Sequence, residues 1–111
     1  MSKGSKIWQA ATLVGALPAN GEERYLEPFV SGDVSLGIYA PRSVDEQQPH
    51  QKDEFYFIVS GSGQFVHGEQ RTPFTSGDAL FVPAGEVHRF EDFTDDFSAW
   101  VVFWEPRDDH A

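Results

Sequence analysis

The side chains best suited to bind a metal ion lie in two separate parts of the sequence. His50 and Glu54 stand in the segment QQPHQKDEF, residues 47 to 55, and His88 stands far along the chain. Two imidazole nitrogens and one carboxylate oxygen suit divalent Fe, Mn, Ni, Cu or Zn, and with open positions they suit oxygen chemistry at non-haem iron. Gln48 could add an amide oxygen, which is a weaker donor than imidazole. The residue types therefore indicate a site for one divalent transition metal ion.

The segment runs directly into the apolar residues 55–59, which predict a strand. Residues of equal parity in a strand face the same side. His50 and Glu54 are therefore expected to point into one cavity, and Gln48 can join them. Gln47 and Asp53 have the opposite parity and are expected to face away.

His88 follows the stretch SGDALFVPAGEVHRF, residues 76–90. Pro83 and Gly85 are expected to bend the chain sharply, so that His88 enters the sheet beside the strand that follows His50. Taken alone, the pattern is weak, because a lone histidine in a β protein more often lies at the surface or is hydrogen-bonded in the core. His67, in a predicted hairpin turn, and His110, in the tail, are expected to be exposed.

The elements that must position these residues are short strands separated by turns. Residues 7–17 have apolar residues at helical spacing and predict a short helix, with an irregular strand as the alternative. Repeated short strands of this spacing predict an all-β sandwich or barrel. The predicted strands are Arg24–Val30, Val34–Ala40, Glu54–Ser60, Gly63–Val66, Glu69–Pro73, Ala79–Val82, His88–Phe90 and Phe97–Trp104.

Composition limits the classes of function that remain. The chain has 111 residues, which predicts a single domain over residues 1–111, with residues 1–6 loose and the barrel core at about 23–105. The net charge of −10 and the lack of a basic stripe argue against nucleic acid and against an anionic membrane surface. There are no cysteines, so disulfides are not expected. No apolar run approaches the roughly 20 residues of a membrane helix, and the N-terminus does not resemble a signal peptide, so a cytoplasmic protein is expected.

Two separated motifs resemble those of the cupin family. In the first cupin motif a His-x-His pair is followed by Glu and then Gly, and His50, Glu54 and Gly61 match its second histidine, glutamate and glycine. The second cupin motif is matched at its own spacing. Its matching residues are Gly77, Pro83, Gly85 and His88. The resemblance covers about residues 34–104 and implies a double-stranded β-helix, or jelly-roll barrel, that holds a metal ion.

Three positions depart from the family pattern. Gln48 stands where the first histidine is usual, Arg42 where the first motif begins with glycine, and Asp92 where the second often ends in asparagine. Only the first departure touches the proposed metal. The resemblance implies His50, Glu54 and His88 as ligands, with Gln48 as a fourth candidate.

A cupin barrel ends in a cavity above its metal. Parity places Tyr56 inward after Glu54, and Phe90 inward after His88; Tyr39 and Trp100 are further candidates for the wall. These four are the expected substrate-binding residues. Ordinary core packing is the alternative for each of them.

The resemblance implies several functions. The first is a metal-dependent enzyme acting on a small organic molecule, most simply a dioxygenase similar to small quercetin-dioxygenase-like cupins. A metal-dependent isomerase or lyase, a non-catalytic binder or sensor of a small ligand, and a purely structural metal are the alternatives. Strands that are apolar on both faces, together with the resemblance, predict a homodimer.

Overall fold

The structure is a computed structural model that describes residues 4–19, 24–45 and 49–106. It contains all eight predicted strands, and the predicted N-terminal segment forms a helix. The elements are α1 (Ala10–Gly15), β1 (Tyr25–Ser31), β2 (Val34–Tyr39), β3 (Asp53–Ser60), β4 (Ser62–His67), β5 (Gln70–Thr75), β6 (Ala79–Val82), β7 (His88–Glu91) and β8 (Ser98–Trp104).

The strands form two antiparallel sheets. The larger sheet has the order β1-β2-β8-β3-β6, and the smaller has the order β5-β4-β7. Side chains from both sheets meet in one aromatic core. Its buried members are Tyr56, Ile58, Phe65, Phe74, Val82, Phe90, Phe97, Ala99 and Val101. The all-β prediction is confirmed, and its architecture is that of a double-stranded β-helix.

The register of β3 fixes which side chains reach the core. On the neighbouring strand β8, Phe103 lies opposite Glu54 and Val101 lies opposite Tyr56. Residues directly opposite one another share a face of the sheet. Glu54 and Tyr56 therefore point inward, as strand parity predicted.

The outer face of the larger sheet is only partly covered. Trp8, just before α1, packs against Phe29 of β1 with ring centroids 5.0 Å apart. On the same face, towards the β6 edge of the sheet, four aromatic side chains form a contiguous cluster, which we call the outer aromatic cluster. Its members are Phe55, Phe57, Phe81 and Trp104. Phe57 and Phe81 remain about half exposed, so this part of the sheet has no cover among the described residues.

Gly61 joins β3 to β4 and has a physical reason to be glycine. Its φ is +87°, and an added Cβ would lie 2.7 Å from the Cα of Phe97. Both the left-handed backbone and the close approach of the Phe97 backbone exclude a side chain.

Among the described residues no helix has the length and apolar character needed to cross a membrane.

Candidate metal centre

His50, Glu54 and His88 converge at the inner face of the larger sheet. Each offers one ligand atom, and these three atoms all lie within 4.8 Å of one another. Donors on one metal ion with bonds of about 2.1 Å lie roughly 3 to 4 Å apart. The three side chains are thus close to the spacing that a single ion requires.

Glu54 is the most telling of the three. Its side chain is fully buried, and neither carboxylate oxygen has an aligned hydrogen-bonding partner. A buried carboxylate without compensation is strongly unfavourable. Its Oε1 lies 2.9 Å from Nε2 of His88, so a positive charge must lie on the imidazole or between the two atoms. A divalent cation satisfies both groups, and in this respect the residues fit a metal ion.

His88 is held in the orientation that a ligand needs. Its Nδ1 lies 2.9 Å from the carbonyl oxygen of Glu86, which can only accept, so Nδ1–H donates and Nε2 faces Glu54. Burial alone lowers the pKa of His88. Interactions with the Glu54 carboxylate, the Glu86 carbonyl and the Asp45 carboxylate outweigh burial, so the pKa is raised above its ordinary value. A backbone acceptor at the second ring nitrogen is the usual way in which proteins orient a metal-binding histidine.

His50 lies on the connection between β2 and β3 rather than in a strand. Its ring packs against Phe103 with centroids 5.1 Å apart, and its centroid lies 5.6 Å from that of His88. Its carbonyl oxygen accepts a hydrogen bond of 2.7 Å from Gly85 N–H. Unlike Glu54 and His88, His50 is only half buried, so the site opens to solvent on this side.

Tyr56 is the neutral polar side chain nearest to the ligands among the described residues. Its hydroxyl lies 3.1 Å from Nε2 of His88, and its ring meets Phe90 edge to face at 4.9 Å. The side chain is buried. The phenol therefore stands at the edge of the candidate site, where sequence parity expected a substrate contact.

The other predicted site residues have different surroundings. Phe90 is buried among aromatic rings beneath Tyr56, so its role in the structure is core packing. The Tyr39 hydroxyl donates to Asp45 rather than facing the ligands. Gln48 lies outside the described residues.

Trp100 corrects the sequence interpretation. It lies opposite Phe57 and Ile38, on the outer face, while its neighbours Ala99 and Val101 point into the core. On β8 the odd-numbered residues 99, 101 and 103 face inward, and Trp100 has the opposite parity. Trp100 therefore does not line the cavity wall, and Phe103 is the β8 aromatic that contacts His50.

His67 also differs from expectation, since it is not in an exposed turn. His67 ends β4 directly opposite His88, half buried, with its ring stacked on Phe65 at 5.0 Å and its Nε2 3.0 Å from Thr72 Oγ1. Arg24 and Arg42 both donate to backbone carbonyls that include that of Ala40. His67 thus lies near the site without joining the ligand cluster.

Asp45 is a residue that sequence reasoning missed. Its carboxylate is buried and accepts hydrogen bonds from the Tyr39 hydroxyl and from Phe90 N–H, the latter at 2.8 Å. It lies in an irregular connection, where neither periodicity nor parity applies. The surrounding sequence, SVDEQ, is mostly polar and gives no sign that this one carboxylate is buried.

Comparisons with known proteins agree with this geometry. A family model for the cupin domain, Cupin_2, matches residues 35–104. An uncharacterized protein from Streptomyces coelicolor is 36% identical over 91 residues, covering 80% of this chain and 87% of that protein. No function accompanies that relative.

Two solved structures show the same fold at low identity. A double-stranded β-helix protein from Klebsiella pneumoniae matches with a TM-score of 0.73 and 20% identity, covering 91% of this chain and 90% of that one. The DMSP lyase DddQ from Ruegeria pomeroyi matches with a TM-score of 0.63 and 24% identity, covering 78% of this chain and 48% of that one.

Proposed function

Because the chain belongs to the Cupin_2 family of cupin domains, we propose that it is a metal-dependent enzyme acting on a small, oxygen-bearing organic molecule. One observation carries this proposal: a buried Glu54 carboxylate without an aligned hydrogen bond faces His88 and His50 within ligand range. Gln48 is a fourth candidate ligand. The ion is a divalent transition metal, with Fe, Mn, Ni and Zn as candidates.

The reaction class that the surroundings favour is isomerisation or elimination. When bound, a divalent ion supplies a Lewis acid that polarises a carbonyl or carboxylate oxygen of the substrate. Tyr56, which strand parity predicted to face inward, adds a polar group, since its hydroxyl lies 3.1 Å from the His88 ligand nitrogen. From there it can donate a hydrogen bond to a substrate oxygen or carry a proton to and from the substrate. One protein of similar fold, from Ruegeria pomeroyi, is a lyase.

A dioxygenase is the second candidate, and the ligand set itself favours it. Two histidines and one carboxylate with open positions are the set associated with non-haem iron oxygen chemistry. In that case the Tyr56 hydroxyl would orient the substrate rather than exchange a proton. The two candidates share the site and differ in whether O₂ is consumed.

The immediate surroundings favour a small substrate that is partly apolar and also carries oxygen atoms. The aromatic rings of Phe65, Phe90 and Phe103 lie around the Tyr56 and His50 side chains. Polar groups beside the ligands include the Tyr56 hydroxyl and the half-buried His67. Small-molecule sites in proteins typically combine apolar contacts with a few polar groups that fix orientation.

A turnover screen with two variants tests the proposal. Protein purified without chelator or affinity tag is analysed for bound metal. It is then incubated with panels of hydroxy acids, keto acids and sugar acids, followed by NMR, and with diketones, catechols and flavonols, followed by O₂ uptake. We expect Tyr56→Phe to retain the metal but lose turnover, because only the hydroxyl is removed. Tyr25→Phe, which changes a tyrosine packed against Gly37, is the matched control and should retain both.

The outcomes separate the candidates. Product formation without O₂ consumption supports the isomerase or lyase, and O₂ consumption supports the dioxygenase. Tight binding of a panel compound without any turnover would overturn the enzyme proposal in favour of a small-ligand binder. Protein that binds no divalent metal would overturn the metal site itself.

We also propose that two copies of the chain associate in a homodimer and that the protein acts in the cytoplasm. The outer aromatic cluster supports the first, since exposed aromatic patches of this kind mark association surfaces. For the second, the support is the acidic, cysteine-free composition. No nucleic-acid or membrane partner is proposed.

A further inference from the structure

The connection between β2 and β3 carries His50, whereas His88 lies on β7 in the other sheet. A metal site built from both requires that this irregular segment hold a fixed position against β7. Loops do not supply such precision without anchoring contacts. The structure shows where the anchor lies.

Asp45 joins the connection to β7. It is 5% exposed, and its Oδ2 accepts a hydrogen bond of 2.8 Å from the backbone N–H of Phe90, two residues beyond His88. Strand β7 pairs with β4 on one side and lies at the edge of the smaller sheet. The carboxylate therefore satisfies a backbone donor on a strand edge that has no neighbouring strand among the described residues.

The second oxygen of Asp45 extends the anchor to the larger sheet. The Tyr39 hydroxyl, at the end of β2, donates to Asp45 Oδ1. One carboxylate thus links the β2 end, the connection and β7. Hydrogen bonds to a charged acceptor are stronger than those between neutral groups, and removal of one partner from a buried pair is unfavourable.

Two further hydrogen bonds join the same segments nearer to the ligands. Gly85 N–H donates to the His50 carbonyl at 2.7 Å, and Ala84 N–H donates to Asp53 Oδ1 at 2.9 Å. These bonds fix the segment beyond His50. Asp45 fixes it before His50, so the histidine is held on both sides.

We propose that Asp45 is a positioning residue for the metal centre, which sets the place of His50 relative to His88. This inference rests on the proposed metal site. It assigns a role to a buried acid that is not in the ligand cluster. Loss of an interaction that orients a ligand typically weakens metal affinity about 10–100-fold.

The test uses Co²⁺ alone as the probe. Asp45→Asn keeps the shape of the side chain but replaces one acceptor oxygen by a donor, so one of the two hydrogen bonds is lost. We expect it to weaken Co²⁺ affinity about 10–100-fold and to change the d–d absorption spectrum, which reports coordination geometry. Asp45→Ala removes both hydrogen bonds and should show a larger effect.

Asp78→Asn is the matched control. Asp78 Oδ2 accepts a hydrogen bond of 2.9 Å from Thr75 N–H in the turn before β6, so the same chemical change is made away from the ligands. We expect this variant to lower the thermal unfolding midpoint while leaving the Co²⁺ affinity and spectrum unchanged. A merely structural role for Asp45 would give the same result as the control.

The outcomes distinguish the positioning role of Asp45 from the existence of the metal site. If wild-type protein binds Co²⁺ and folded Asp45→Asn binds it with the same affinity and spectrum, the positioning role is overturned while the metal site stands. If wild-type protein binds no Co²⁺, the proposed site itself is overturned. Unfolding of Asp45→Ala does not affect the comparison, because Asp45→Asn and Asp78→Asn carry it.

Discussion

Nε2 of His88 lies 2.9 Å from Oε1 of Glu54 inside the protein, and the carboxylate has no aligned hydrogen bond. A neutral imidazole and a carboxylate at that separation would bring two lone-pair atoms together in a buried site. Either a proton on His88 or a metal ion between the groups removes the repulsion. The pair therefore has two alternative cations, and they compete.

The ligand set predicts which substitutions abolish metal binding. His50→Ala, His88→Ala and Glu54→Gln each remove one donor, and we expect each to weaken affinity by more than the roughly 100-fold upper range for an orienting residue. Metal content after purification and competitive titration with a chromogenic chelator provide the measurement. His67→Ala is the control, since His67 lies opposite His88 without belonging to the ligand cluster. Equal metal content in all four variants would contradict the assignment.

The raised pKa of His88 predicts how the metal-free protein responds to pH. The unfolded chain releases this proton near pH 6.5, whereas the folded protein retains it to higher pH. The protonated pair stabilises the folded state fully below the unfolded pKa, and this stabilisation is lost as pH rises through the folded pKa. In the presence of a chelator we therefore expect the free energy of unfolding to fall above about pH 6.5.

Urea denaturation at several pH values measures this response. His88→Gln removes the titrating group, so the difference in stability between wild type and this variant should shrink as the pH is raised above that range. A difference that grows with pH would contradict the direction of the shift.

Much of the fold was predictable because its strands alternate regularly. Parity correctly placed Glu54 and Tyr56 inward and Asp53 outward, because β3 pairs with β8 in regular register from Asp53 to Ile58. Trp100 was predicted to line the cavity because it is large and aromatic. The strand register instead places it opposite Phe57, on the outer face of the larger sheet.

Strand parity could not predict which side chains of the connection before His50 are buried, because this segment is not a strand. Asp45 acts through the backbone of Phe90, which is remote in sequence, and such a contact leaves no periodic signal. Parity predicted that Tyr56 faces inward, but the 3.1 Å between its hydroxyl and Nε2 of His88 could not be predicted from the sequence. Long-range contacts of individual side chains were thus the part that required coordinates.

The outer aromatic cluster predicts the oligomeric state. Phe57 and Phe81 are 42% and 49% exposed and stand beside Phe55 and Trp104, so burial against a second copy would remove apolar area from water. We expect wild-type protein to be a dimer and the Phe57→Ser/Phe81→Ser double variant to be a monomer. Light scattering coupled to size-exclusion chromatography measures the mass.

Val30→Ser is the control for that experiment. Val30 is also exposed, at 59%, but lies on β1 at the opposite edge of the same sheet. Its substitution should leave the dimer intact. A monomeric wild-type protein, or a double variant with unchanged mass, would contradict the prediction.

The two hairpin glycines predict a difference in stability that separates backbone conformation from packing. Gly61 and Gly68 both have positive φ, at +87° and +58°, but an added Cβ meets the Phe97 backbone at Gly61 and nothing within 4 Å at Gly68. Gly68→Ala should therefore cost only the left-handed conformation, about 1–2 kcal/mol. Gly61→Ala adds a backbone clash of the kind that overpacking creates, giving a loss of about 2–5 kcal/mol in total. Chemical denaturation measures both losses, and equal values for the two variants would mean that the β3–β4 turn shifts to admit the methyl group without cost.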